Sequence, residues 1–591
     1  MSPRPTPRQE ALRAALDPIC HALVLGLLRA TDPARDRARV RAIVDARLPG
    51  AWEVRPIGRS AWAFEIRRAR RHRRIALGTA WNHCHRLEAD SDVEFAEPSV
   101  TIVGHDPTPE QIDAVLTPAE LTLTQQARAS ADAPLPCAQN DERWSIESCR
   151  IDEAWALEPG PEGRRMGEGI VVGHPDTGYT RHPEVWDAEP SEVRVLHERG
   201  HDFEDGDSGA DDPLIEGFMK QPGHGTATSS VILSGVGAGN FTGDPQRPVT
   251  GVAPRARLIP LRVTRTVVLF NFTKLAAAID HAVDEGAHVI SISLGGPYPS
   301  TLLEKAVGRA VERGVVVLAA AGNVWPFVVF PARLPSVIGV AASNCEDGVW
   351  KKSARGGGVD LCAPGEGVWR ADAKGPPESP SFTTGIGYGT SFAVATVAGA
   401  CALWLAHHGR DHLIGLYGAS ALVPVFRHLL LSTVRTPLGW DTGRHGAGIL
   451  DAKALLEAPL PHPSMVAPLV AQGEDGDPGP LPGGVSDALA GFFPEADAES
   501  ISAATCHVLR VPTDGSARSE GLPRSDAQPH LSGSLGREIL FHVATNPELR
   551  AAIDRRYRGT APAMVGSRLE PQSAVSLPRL RGQASRRLRA G

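Results

Sequence analysis

Between residues 169 and 454 the chain alternates short apolar runs with longer amphipathic stretches. Residues 170–172, 258–263, 289–292, 315–318 and 337–340 are mainly apolar at successive positions, the pattern of strands covered on both faces. Residues 274–285 and 302–312 repeat their apolar positions every three to four residues, as helices with one buried side do. Residues 391–405 are apolar on nearly every face, which predicts a helix enclosed by the fold. Strands alternating with helices predict an α/β fold, a mostly parallel sheet flanked by helices.

The flanks read differently. Residues 33–103 predict a small α+β domain: helices at 37–47 and 75–88, strands at 52–54 and 62–66, and a last alternating strand at 92–98. Ahead of it, the apolar stretch 21–28 makes residues 1–32 a helix-like, amphipathic segment. Residues 104–143 are polar and rich in Pro, Thr and Ala, as a linker is. The α/β domain then occupies 144–457. A Pro/Gly-rich linker follows at 458–485, and a partly disordered C-terminal extension at 486–591. Within the extension, 536–556 predicts a helix pair broken at Asn546-Pro547. No function is assigned to it.

Composition narrows the classes. At 591 residues the chain exceeds a single core. Its 61 basic and 68 acidic residues, net charge −7, give no argument for nucleic acid as a partner. Eight cysteines without a CxxC pair are not a disulfide framework. Cys137 and Cys149 would pair in an oxidising compartment, whereas Cys362 and Cys401 sit in apolar runs and read as buried thiols. Glu10 and Asp17 precede the short apolar stretch 21–28, and Arg29 ends it, so no secretory signal is recognisable. No membrane span is expected, because no window approaches the ~18 apolar residues required. Location is left open, cytoplasmic or exported by another route.

The chemistry is concentrated in four blocks. Val171-Val172-Gly173-His174-Pro175-Asp176-Thr177-Gly178 ends an apolar strand. Gly223-His224-Gly225-Thr226 and Gly389-Thr390-Ser391-Phe392-Ala393 follow, and Ala319-Ala320-Ala321-Gly322-Asn323 lies between those two. A carboxylate, an imidazole and a hydroxyl are the parts of an acyl-transfer triad. An Asn after a buried strand can donate to the oxyanion of a tetrahedral intermediate. Taken singly, each block has a plainer reading as a turn.

Together, in the order Asp…His…Ser, these blocks resemble the catalytic domain of subtilisin-like serine proteases, the subtilases. Ser291-Ile292-Ser293-Leu294-Gly295-Gly296, Phe330-Pro331-Ala332 and Leu361-Cys362-Ala363-Pro364-Gly365 add to the likeness, which spans about residues 145–455. The resemblance implies a subtilisin-like sheet and a serine endopeptidase that needs no cofactor for its chemistry. In it, Asp176, His224 and Ser391 form the triad, and Asn323 with the Ser391 N–H forms the oxyanion site. It implies polypeptide substrates, pairing as an added strand along Ser293, Leu294, Gly295 and Gly296. The small residues Ala319, Ala320 and Gly322 should leave the primary pocket open.

The N-terminal domain is similar to the family's propeptide, an intramolecular inhibitor, most of all in its Val-Glu-Phe-Ala-Glu-Pro ending. An unrelated binding module is the other reading. Maturation cleavage is expected between residues 103 and 144. The acidic stretch containing Asp205, Asp207 and Asp211, with Asp202, Glu204 and Asp212 beside them, resembles a region that holds structural calcium in subtilases; a solvated acidic loop fits as well. Two positions depart from the family pattern: Ala227 follows the His block, and Ala395-Thr396 stands where Pro-His is usual. A catalytically silent peptide-binding protein and an esterase using the same triad are the alternatives.

Overall fold

The apolar runs are interior strands because every one of them carries helices or a second layer on both faces. The computed structural model describes residues 18–59, 62–69, 75–102, 141–185, 194–216, 220–235, 248–325, 327–376, 378–466, 534–545 and 547–558, with isolated positions at 135–138 and 489–508. The larger sheet has seven strands: β5 (Val171–Asp176), β6 (His201–Asp202), β7 (Arg257–Arg262), β8 (Val289–Ile292), β9 (Val316–Ala320), β10 (Ile338–Ser343) and β11 (Leu361–Pro364). Their order is β11-β10-β9-β8-β5-β7-β6 and each pairing is parallel. A separate antiparallel hairpin pairs β12 (Glu366–Lys374) with β13 (Ser381–Tyr388).

The strand order reverses direction at β5, which lies between β7 and β8. Clefts for ligands form outside the carboxyl ends of strands at such a reversal. Asp176 is the last residue of β5, and Ser293 directly follows β8.

The smaller sheet, order β2-β3-β1-β4, belongs to the N-terminal domain. It comprises β1 (Pro18–Leu27), β2 (Trp52–Pro56), β3 (Ala63–Arg68) and β4 (Val93–Ile102), with α1 (Pro33–Arg47) and α2 (Leu77–Leu87). Here the structure corrects the expected N-terminal helix. Residues 18–27 are a strand, hydrogen-bonded on both edges, to β3 and β4. Ala22, Leu23, Val24, Leu25 and Leu27 are all buried. An interior strand covered on both faces is apolar at consecutive positions, which reads like a helix segment from sequence alone.

This domain packs on α4 (Thr273–Asp284) and α5 (Thr301–Glu312) of the larger one. The contact is polar and specific. Glu97 of β4 accepts from Ser300 Oγ at 2.6 Å and from the Thr301 N–H at 2.9 Å, so a buried carboxylate caps the positive end of α5. Asn271 Nδ2 donates to Ser99 Oγ at 2.8 Å, and Trp62 Nε1 donates to Asp280 at 3.2 Å. The Arg309 guanidinium lies 3.8 Å above the Trp62 ring.

Two further expectations are corrected. Cys149 is a buried free thiol, and Cys137 is joined instead to Cys345, 208 residues away. Cys149 is fully buried between the short helices 144–148 and 151–156. One helix, α6 (Thr390–His408), is long and apolar enough to cross a membrane by length and composition. It runs through the core, and every residue from Thr390 to Ala406 is buried. The buried thiols expected at Cys362 and Cys401 are present.

Burial also holds several imidazoles neutral. His288 and His408 are pushed down to about 4 from an ordinary 6.5, in both cases mainly by burial. The His288 ring accepts the Val171 N–H at 3.3 Å, which requires an unprotonated nitrogen. The unfolded chain therefore binds these protons at higher pH than the folded one, and stability rises with pH across that interval. With His542, also pushed down to about 4, these imidazoles outweigh Glu304, whose carboxyl burial pushes up to about 7 with the opposite sign, so the expected outcome is a urea midpoint that falls as the pH is lowered from 6.5 to 4. A midpoint unchanged down to pH 4 would contradict this account.

Candidate active site

Asp176 leaves β5 fully buried, at the floor of the cleft. Its Oδ1 receives His224 Nδ1 at 2.7 Å and the Thr177 N–H at 2.7 Å. Its Oδ2 lies 3.5 Å from Thr228 Oγ1 and 3.9 Å from His174 Nε2. Burial drives this carboxyl upward, but the His224 charge and hydrogen bond, aided by His174 and the Thr177 N–H, carry it below the usual carboxylate value. His174 moves down, mainly through burial, and Thr228 Oγ1 stands 3.1 Å from its ring nitrogen.

His224 is the first residue of α3 (His224–Leu233). Its position is fixed by a residue that sequence reasoning assigned elsewhere. Asp212 accepts from the Gly223 N–H at 2.8 Å, from Thr177 Oγ1 at 2.9 Å and from the Leu214 N–H at 2.8 Å. One buried carboxylate thus ties the turn after Asp176 to the start of the His224 helix. An Asp among five other acidic residues carries no local signal for that role.

Ser391 is the second residue of α6, so its backbone N–H is among those a helix start leaves without an internal partner. Gly389, which precedes the helix, has φ +152°, a conformation that side chains rarely adopt. A methyl group there would stand 3.3 Å from Asn323 Nδ2 and 3.7 Å from Ser391 Oγ. Asn323 Oδ1 accepts from the Thr390 N–H at 2.9 Å and from Thr390 Oγ1 at 2.8 Å. That grip directs the amide nitrogen toward the space beside Gly389 and Ser391. The Ser391 hydroxyl itself donates to the Ser293 carbonyl at 3.3 Å.

The substrate edge expected along Ser293, Leu294, Gly295 and Gly296 is already paired within the chain. The Gly295 N–H donates to Val267 O at 3.0 Å, and Gly295 O accepts from the Leu269 N–H at 2.8 Å. Gly296 exchanges both its bonds with Phe330, at 2.9 and 2.8 Å. Leu294 is buried. Of the residues expected beside the primary pocket, Ala319 and Ala320 lie within β9 on opposite faces of the sheet, Ala320 beneath α6. A methyl on Gly295 would stand 2.7 Å from Val329 Cγ2, and one on Gly322 would stand 3.2 Å from both Val329 methyls. Val329 therefore occupies the crevice between these two glycines. Sequence reasoning missed it because its neighbours are 34 and seven positions away.

The acidic loop does not offer a cation site. Asp205 pairs with Arg262 at 2.6 Å and Arg265 at 2.9 Å, and Asp202 also pairs with Arg262. Asp207 Oδ1 accepts from the Gly209 N–H at 2.8 Å, and Asp211 adjoins Tyr179 through a backbone bridge. Among the described residues no group of three or more His, Cys, Asp or Glu side chains could hold a metal ion. Of the three expected ligands, Asp205 is thus engaged by two arginines.

A covered parallel sheet with a serine at the head of its buried helix, and an imidazole–carboxylate pair at the neighbouring strand end, is the layout of an α/β serine hydrolase. Residues 167–448 match the Subtilase family (Peptidase_S8). The chain is 30% identical to subtilisin Savinase of Lederbergia lenta over 296 residues, 49% of this chain and 91% of that protein. It is 32% identical to thermitase of Thermoactinomyces vulgaris over 247 residues, 42% of this chain and 77% of that protein. The structure of fervidolysin from Fervidobacterium pennivorans superposes with a TM-score of 0.52 at 22% identity, covering 75% of this chain and 62% of that one, a likeness of fold. The chain belongs to the subtilase family and is a serine peptidase.

Gly225 tests the geometry directly. A methyl at this position would stand 1.9 Å from the Gly178 carbonyl oxygen and 3.3 Å from Asp176 Cβ. Gly225→Ala is expected to lower unfolding free energy by about 1–3 kcal/mol in chemical denaturation, as overpacking does. Activity should fall further than that loss explains, because the push falls on the Asp176–His224 pair. Parental stability and activity in this variant would be the contrary result.

Proposed function

We propose that Ser391 is the nucleophile of a serine endopeptidase, that His224 is its general base and then general acid, and that Asp176 orients His224. The single observation that supports this most is the 2.7 Å bond between His224 Nδ1 and the buried Asp176 carboxylate. It fixes the tautomer with the proton on Nδ1, leaving Nε2 to accept the Ser391 proton. Attack on the substrate carbonyl forms an oxyanion that the Asn323 amide and the Ser391 N–H receive. The proton on His224 then passes to the departing amine, and water repeats the sequence to release the acyl group. No metal takes part in these steps.

In this reading the structure describes an enzyme at rest. The Ser391 hydroxyl must leave the Ser293 carbonyl before His224 can take its proton, and apo enzymes often show such looser arrangements. An extended peptide must displace Val267 to Leu269 from Gly295 to add a strand there. The N-terminal domain acts as the intramolecular inhibitor of a precursor. Its support is the capping of α5 by Glu97 and the bond of Ser99 to Asn271, two residues from Leu269. The expected cleavage region, residues 103–144, falls mostly outside the described residues.

A serine-directed fluorophosphonate should label the matured wild-type chain, and sequencing should find its N-terminus between residues 103 and 144. Ser391→Ala should remain unlabelled and uncut. Asn323→Ala should lose about 100- to 1000-fold in kcat, a figure known from a subtilisin. Labelling of Ser391→Ala would remove the assignment.

Val329 sets the preference of the primary pocket in this reading. With its isopropyl group against Gly295 and Gly322, a small apolar side chain fits and an aromatic one does not. Val329→Gly should raise kcat/KM for peptides with Phe at the cleaved position relative to Ala by about 10- to 200-fold, the usual range for filling or emptying a small apolar space. An unchanged ratio would show that another residue sets the pocket depth.

A further inference from the structure

The C-terminal helices are the part of the described structure that the peptidase reading leaves unused. They are α7 (Ser534–Thr545) and α8 (Pro547–Tyr557), the helix pair expected around Asn546-Pro547. Ile539, Leu540, Phe541 and Val543 of α7 are buried, as are Leu549 and Ile553 of α8. Their apolar sides do not close on each other alone. The Phe541 ring stands 6.2 Å from the Trp81 ring of α2 and 5.1 Å from the Tyr298 ring just before α5. A single aromatic side chain thus touches the N-terminal domain and the catalytic domain at once.

Charge follows the same seam. Glu538 is fully buried, and its Oε2 lies 3.0 Å from His85 Nε2 of α2. Arg537 Nη2 lies 3.2 Å from Glu88 Oε1. Burial raises Glu97, the carboxylate that caps α5, and Glu304 within α5, and the same guanidinium opposes that rise at both. Arg537 therefore stands among carboxylates from both bodies. Buried charged groups placed this way keep a helix in one register, since a shift of α7 would strand them without partners.

We propose that α7 is a latch that holds the N-terminal domain on the catalytic domain after the chain between them is cut. The idea rests on the reading of that domain as an inhibitor cleaved from the enzyme. A cut between residue 103 and Cys137 removes the covalent tie between the two bodies, whereas a cut after Cys137 would leave the Cys137–Cys345 disulfide joining them; in either case α7 stays attached to the catalytic chain. The released domain then leaves two surfaces, α4–α5 and α7, instead of one. Two linked contacts slow dissociation beyond either alone, because each holds its partner while the other reopens. Cleavage would thus not by itself free the enzyme; the latch must also open or be degraded.

The test uses full-length Ser391→Ala protein carrying one site-specific protease sequence between residues 110 and 130. After the cut, release of the N-terminal fragment is timed by size exclusion. The fragments should co-elute, and Phe541→Ala combined with Arg537→Ala should speed release about 10-fold or more, as loss of a central aromatic anchor does. A chain ending at residue 466 gives a second variant, with circular dichroism to confirm its fold, and should show the same acceleration. Equal release rates in all three overturn the latch and leave the inhibitor reading standing. A fragment that stays bound yet does not slow turnover of active enzyme overturns the inhibitor reading and leaves the latch.

Discussion

The bond between His224 and the buried Asp176 carboxylate is the constraint around which the catalytic half is organised. A carboxylate enclosed in protein is costly unless it is charge-paired and hydrogen-bonded, and Asp176 is both. Its partners come from three segments: His174 of β5, the Thr177 turn that follows it, and α3 through both His224 and Thr228. Asp212 binds two of those segments together from outside. Moving any of them leaves a buried charge with a missing donor, so the imidazole is held in a single tautomer and orientation. The sheet matters to function mainly because its strand order opens a cleft where that imidazole can be used.

The other half of the site depends on α6. A helix buried on every side cannot shift along its axis without unpacking the core, and so its N-terminus is a fixed point. Ser391 inherits that rigidity. Thr390, beside it, grips the carbonyl of Asn323, so the same helix start also aims the second hydrogen-bond donor. In the proposed function, donors preorganised in this way need no rearrangement when charge develops.

Around this rigid centre the chain has placed more adjustable elements. Backbone of residues 267–269 covers Gly295, β4 of the N-terminal domain caps α5, and α7 lies across the seam between domains. These contacts connect through one short stretch, from Asn271 to Tyr298. In the proposed function, control of access to the cleft is concentrated at the face the N-terminal domain covers.

Sequence alone determined whatever rests on short range. Glycine-rich blocks at strand ends and helix starts singled out Asp176, His224, Asn323 and Ser391 as candidates, because turn residues and polar side chains occupy the same few positions. Apolar runs determined the parallel sheet, and the all-round apolar pattern of 391–405 determined the enclosed helix. Tertiary structure decided what depends on distant partners. The stretch 18–27 is a strand because β3 and β4 flank it. Cys137 meets Cys345, 208 residues on, and Cys149 stays a buried thiol. Asp205 pairs with Arg262, Asp212 ties the Thr177 turn to the start of α3, and Val329 fills the crevice between Gly295 and Gly322. In each case the deciding atom lies tens to hundreds of residues away, where local pattern carries no information about what a side chain will touch.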